Sequence, residues 1–192
     1  MKIVKTQKED LDSSSSLHDD MSSVEMNRSI MERDQMTELF ENGLKDMYWV
    51  EKALIRSMPG MIAQTSSRHL IEALDHHLME TQDQATRLEQ VFAIIGKKPS
   101  AKRCEAMEGL IKEAEEIIKE TVEGAQRDAG IISATRKVEH YEIASYSTLC
   151  FFAKTLSLDD VVAVLEEILD QEMNADANLA ELAIININVS QL

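Results

Sequence analysis

Turn-forming residues are scarce in this chain, with 2 Pro and 6 Gly among 192 residues. A β-sandwich or barrel needs a turn every ~8–12 residues, so that supply excludes one. The 2 cysteines, Cys104 and Cys150, are too few for a disulfide framework and read as reduced thiols that pack in a core or interface. No apolar run approaches the ~18 residues of a membrane span, and the first residues lack an apolar signal region. A soluble, cytoplasmic protein is therefore expected. Positive charge is short as well: 20 Lys+Arg face 35 Asp+Glu, a net charge of -15. Such a surface repels phosphate backbones, which argues against nucleic-acid binding. The one basic cluster, Lys2, Lys5 and Lys8, is followed at once by Glu9, Asp10 and Asp12.

What remains is 44% apolar and rich in helix formers, including 11 Met, against an aromatic share of 4%. An all-α fold follows. Residues 1–33, with the run Ser13–Ser16 and few apolar side chains, read as a flexible acidic arm. Residues 34–188 read as a helical domain. Phe40, Leu44, Met47, Leu54 and Met58 form a helical stripe from about Met36 that Pro59-Gly60 is expected to stop. A second helix is predicted from about Ser66 to Ile95, a short one from about Lys102 to Thr121, and a fourth from about Arg127 to Leu156. Ser157-Leu158-Asp159-Asp160 reads as a capping box that opens a fifth. Four long helices, with a short one in the link between the second and fourth of the five, give a ferritin-like four-helix bundle with a crossover.

Carboxylates interrupt the apolar stripes. At 100° per residue, Glu51, Glu142 and Glu172 fall inside the stripes of their helices, and Glu80 falls at the edge of its own, beside His77 and Gln84. Each long helix thus turns one Glu inward near half its length. Four converging buried carboxylates must be protonated, paired with bases, or bound to cations. The inward faces nearby hold no Lys or Arg, and a pair of iron or manganese ions would take carboxylate oxygens and neutralise them. The usual Glu-x-x-His pairs are missing: Asp83, Ser145 and Ala175 stand three residues after Glu80, Glu142 and Glu172. His77, three before Glu80, Glu139, three before Glu142, and Asp176, four after Glu172, are helix neighbours that either ligate, support ligands, or lie on solvated flanks. His140 has the same choice, and Tyr48 either approaches the site or packs.

These residues also carry a family likeness. Leu44-Lys45-Asp46-Met47-Tyr48 through Glu51, His77-Leu78-Met79-Glu80-Thr81, Cys104-Glu105-Ala106-Met107-Glu108-Gly109-Leu110-Ile111, Lys137-Val138-Glu139-His140-Tyr141-Glu142-Ile143-Ala144, and Leu169-Asp170-Gln171-Glu172 resemble the YciE/YciF-like branch of the ferritin-like superfamily. The resemblance covers about three-quarters of the chain, from Leu39 to about Ala183. It implies a bacterial, stress-associated bundle that forms a homodimer, with a rubrerythrin-like dinuclear iron or manganese site at Glu51, Glu80, Glu142 and Glu172. It supplies no settled activity and no catalytic residue. Oxidation of Fe(II) or consumption of peroxide is one expectation; a structural dimer of the same fold without metal is the other.

Overall fold

The computed structural model of the protein describes residues 10–189, with side chains from Met26 to Ile184 apart from Asn27 and Ser29. Five helices follow one another: α1 (Asp10–Ile62), α2 (Arg68–Ile94), α3 (Glu105–Glu120), α4 (Ala125–Thr155) and α5 (Asp159–Val189). No strand occurs among the described residues, and none of their helices is long and apolar enough to cross a membrane. The chain divides into two compact units, Met1–Leu39 and Phe40–Leu192.

Side-chain pairs fix the topology of the bundle. Tyr48 meets Phe92 and Thr81 meets Met58, so α1 and α2 run antiparallel. Tyr146 meets Glu51 and Thr135 meets Met61, so α4 is antiparallel to α1. Arg136 meets Asp176 and Lys154 meets Glu166, which makes α5 antiparallel to α4. Gln84 meets Glu172 and Arg87 meets Glu167, which sets α5 antiparallel to α2. Helices α2 and α4 are consequently parallel, and the link between them must cross the bundle; that crossover carries α3, as the sequence suggests. The short helix packs on α4 and buries Met107 and Ala114, with Gly130 admitting it closely: a Cβ there would lie 2.5 Å from Ile117 Cγ2.

Apolar burial holds this arrangement. Phe40, Leu44, Met47, Leu70, Leu88, Phe92, Ile131, Leu149, Leu165 and Ile168 are all nearly or wholly excluded from solvent, each contributing roughly 1.5–3 kcal/mol relative to exposure. One end is closed by a cluster of Leu70, Leu74, Ile131, Ile132 and Leu179, with Met61, Ile62 and Leu182 packed against it.

Three helix boundaries differ from the sequence reading. Helix α1 begins at Asp10 rather than near Met36, so the proposed arm is helical from Asp10 on, while Lys2, Lys5 and Lys8 lie outside the described residues. No Gly or Pro occurs before Gly43, so nothing in the chain terminates the helix backwards. At its other end α1 continues through Pro59 to Ile62. A proline removes one N–H and kinks a helix without always ending it; here the Pro59 carbonyl still accepts from Ala63 at 3.1 Å. Ser157 is no N-cap: with φ +59° it ends α4 in the left-handed conformation. The Leu158 N–H donates to Ala153 and the Ser157 N–H to Lys154, both at 3.0 Å, a Schellman closure. Asp159 and Asp160 still favour the start of α5 through the helix dipole.

The N-terminus of α2 is capped from a distance. Its flanking Ser67 makes no side-chain cap. Instead the buried Asp128 of α4 accepts the Ser66 and Ser67 N–H groups, one on each carboxylate oxygen, both at 2.8 Å. Asp128→Ala is expected to cost about 1–2 kcal/mol of unfolding free energy, the usual worth of a lost cap, in urea or guanidinium titrations. An unchanged midpoint would show that water replaces the carboxylate.

Candidate metal centre

The centre of the bundle is polar. Glu51 of α1, Glu139 and Glu142 of α4, and Glu172 of α5 are each no more than 1% exposed, and His77 of α2 is 5% exposed. Helical spacing accounts for the convergence. Glu139, Glu142 and Tyr146 lie three and four residues apart on one face of α4, and His77 and Gln84 lie seven apart on one face of α2. One ligand atom from each of His77, Glu139, Glu142 and Glu172 lies within 4.8 Å of the others. His77 Nε2 is 3.1 Å from Glu139 Oε1.

Few protein groups satisfy these atoms. Tyr146 donates its hydroxyl to Glu51 Oε1, and Gln84 Nε2 donates to Glu172 Oε1 at 2.5 Å and to Gln171 Oε1 at 3.2 Å. The other oxygens of Glu51 and Glu172, both oxygens of Glu139 and Glu142, and both nitrogens of His77 find no hydrogen-bond partner outside the cluster; within it Glu139 is shared with Glu172 and His77. No Lys or Arg is buried among the described residues. Burial above all pushes the carboxyls of Glu51, Glu142 and Glu172 well up from the ordinary range. Repulsion adds to it: Glu172 acts on Glu51 and Glu142, and Glu139 acts on Glu172. Burial likewise moves Glu139 up to about 8. The Tyr146 phenol is also raised, first by burial and then by Glu51 and Glu142.

Six carboxylate oxygens and an imidazole that have no partners beyond one another fit a divalent transition metal. Ligand atoms about 2.1 Å from one ion stand up to about 4.2 Å apart, so a spread of 4.8 Å requires only a small contraction. Mixed carboxylate and imidazole donors suit iron, manganese or zinc, whereas magnesium and calcium prefer oxygen alone.

The other candidates from the sequence lie around this group. Glu80 is at its rim, with its side chain 22% exposed, Oε1 3.4 Å from His76 Nε2 and Oε2 4.0 Å from His77 Nδ1. Asp176 faces away to a salt bridge: Arg136 donates to it at 2.7 and 3.2 Å, and His140 Nε2 lies at 3.2 Å. The Arg136 hydrogen bond holds the Asp176 carboxyl below its ordinary range. Tyr48 packs edge-on against Phe92 and donates to Glu89 at 2.6 Å. The aromatic at the site is Tyr146, which the apolar periodicity leaves unmarked; its place four residues after Glu142 is the one signal for it. Cys104 caps α3, accepting from the Met107 N–H at 3.4 Å, and burial pushes the Cys150 thiol up to about 11, so Cys150 is not poised as a nucleophile.

A family model described as "Domain of unknown function (DUF892)" matches residues 35–191. The YciF protein of Escherichia coli K12 is 41% identical over 152 residues, spanning 79% of this chain and 92% of its own length. Its crystal structure, that of a stress protein, superposes with a TM-score of 0.77, covering 80% of this chain and 97% of YciF. YcfI of Rhodopseudomonas palustris, described as a candidate structural protein, is 43% identical with a TM-score of 0.74, over 76% of this chain and 92% of its own. A Xanthomonas campestris protein at 23% identity and a TM-score of 0.61 shares the fold.

The raised carboxyls give the metal-free protein a pH signature. A buried acid whose folded pKa exceeds its unfolded value binds more protons in the native state, so stability falls as pH rises between the two. For Glu139 that window runs from the ordinary glutamate value of 4.5 to about 8. Chelator-treated protein is expected to melt at progressively lower temperature from pH 5 to pH 8. Glu139→Gln should flatten that slope in parallel thermal scans; an equal slope in the variant would contradict the assignment.

Proposed function

From the premise that the chain belongs to the DUF892 family, we propose that it is a stress-associated bundle holding two iron or manganese ions at Glu51, Glu139, Glu142, Glu172 and His77. The observation that carries the reading is the charge of the core. Four buried carboxylates face one another with no buried Lys or Arg among the described residues, and two divalent cations match four negative charges while one does not. His77 supplies a neutral nitrogen, and carboxylates between two ions can bridge them. Glu80 belongs at the mouth of the site, and Asp176, held by Arg136 and His140, in the shell that orients α5 against α4. The stress association rests on E. coli YciF.

Ions bound there would supply electrons to dioxygen or peroxide, so Fe(II) oxidation or peroxide consumption is the proposed reaction class. The chain's own contribution is separable from that chemistry. The apolar shell of Met47, Leu54, Met58 and Leu165 keeps bulk water out. Gln84 fixes one oxygen of Glu172 and leaves the other free. Tyr146 fixes one oxygen of Glu51 in the same way, and its phenol stays protonated because burial raises it. Each carboxylate thus keeps an oxygen available, with its rotamer set by a neutral donor. The protein is proposed as a cytoplasmic homodimer, the dimer following the family resemblance and the cytoplasm the cysteine content and apolar patterning; the site itself is built by one chain.

Metal analysis by mass spectrometry on tag-free protein purified without chelators tests this reading. About two Fe or Mn per chain are expected, falling to background in Glu142→Ala/Glu172→Ala with helicity retained by circular dichroism. No metal in the parent, even after anaerobic loading with Fe(II) or Mn(II), would overturn the reading. It would favour a structural bundle whose core carboxyls stay protonated, consistent with their upward shifts.

A further inference from the structure

A site this deeply buried needs a way in. We propose that His76 and Glu80, between α2 and α5, form the port through which divalent transition-metal ions reach the core, an inference that rests on the metal-binding reading above. The side chains are graded from solvent inward. His76 is 64% exposed, Glu80 22% and His77 7% by side chain. Glu80 faces both histidines, Oε1 lying 3.4 Å from His76 Nε2 and Oε2 4.0 Å from His77 Nδ1. From His77 the next step is Glu139, with Nε2 3.1 Å from Oε1. Exposed imidazole, half-exposed carboxylate, buried imidazole and buried carboxylate thus form a continuous line of donors from water to the cluster.

A cavity lies along this line. It has a volume of about 40 Å³ and is lined by His76, His77 and Glu80 together with Ala73, Ala175 and Asn178. The alanines leave the space open, and the His77 ring bridges it to the cluster, with Nδ1 toward Glu80 and Nε2 toward Glu139. Two larger clefts do not serve. One, of about 320 Å³, is lined by Arg136, Lys137 and His140, and the other, of about 210 Å³, lies between the end of α1 and α3. Neither touches a residue of the cluster. A space of 40 Å³ holds roughly one water, whose share of liquid volume is about 30 Å³. An ion can pass only by exchanging its hydration shell for protein donors. Imidazole and carboxylate provide that exchange for iron, manganese or cobalt, whereas magnesium sheds water reluctantly and is held back.

Cobalt(II) uptake by the metal-free full-length protein, followed by its visible absorption in stopped flow, separates rate from capacity. The parent should fill, and excess Mg²⁺ should neither compete nor slow it. His76→Ala, Glu80→Gln and the plugging variant Ala73→Leu should fill on the order of tenfold more slowly, the lower end of what a charged, focused cleft contributes to an on-rate. His76→Ala and Ala73→Leu should reach the parent plateau. Variants that fill as fast as the parent would overturn the port while leaving the metal site standing. A plateau lost in His76→Ala at an unchanged rate would make His76 a resident ligand and also overturn it. Failure of the parent to take up any cobalt would instead strike at the metal-binding reading.

Discussion

Four carboxyl groups and an imidazole converge in the middle of an apolar bundle, and an assembly of like charges so far from water has to be neutral. An unneutralised buried carboxylate costs several kcal/mol, and each further one adds repulsion that the low dielectric does not screen. The bundle provides no basic side chain to offset them: Arg136, Lys137 and Lys154 all pair with acids on the outside. Two means of neutralisation remain, protons or cations. The raised carboxyls describe the first state, and the unsatisfied oxygens facing one another describe a site prepared for the second.

The fold is arranged around that constraint. Antiparallel packing of α1 with α2 and α4, and of α5 with α2 and α4, brings the middles of α2, α4 and α5 level with the Glu51 stretch of α1, in its C-terminal half, so these residues meet. The crossover that carries α3 makes this possible without a change of chain direction at the centre. Neutral donors, Tyr146 and Gln84, are the polar groups allowed next to the cluster, and they orient carboxylates without cancelling their charge. Polarity is graded toward one gap between α2 and α5, which borders the aliphatic end of the bundle: Leu74 and Leu179 of that cluster line the gap as well.

How much of this the sequence makes legible depends on periodicity. Glu51, Glu142 and Glu172 interrupt strong stripes of Phe, Leu, Ile and Met, and counting 100° per residue places them inward, where the structure has them. Glu80 lies at the edge of its stripe, and a small phase error there decides between core and rim; the structure has it at the rim. His77 and Glu139 are equally ambiguous, because His-x-x-Glu and Glu-x-x-Glu spacings fit a salt-bridged surface as well as a ligand set. Tyr146 is silent for a different reason: a tyrosine on an apolar face always has packing as an explanation. Local boundaries follow the same logic. Ser157 matches a capping pattern, yet the preceding helix claims its backbone for a left-handed turn. The start of α1 could not be read because Ser and Asp lower helix propensity without terminating a helix.

The central claim is that metal ions replace protons on these carboxyls, and counting the protons tests it directly. Calorimetric titration of the metal-free protein with Mn(II) at pH 7, in two buffers of different ionisation enthalpy, gives the protons released per ion bound. If the core carboxyls are protonated without metal, about two protons should leave with each ion, and none in Glu142→Ala/Glu172→Ala. Binding with no proton release would contradict the account, because it would mean either that the core is already ionised or that the metal binds elsewhere.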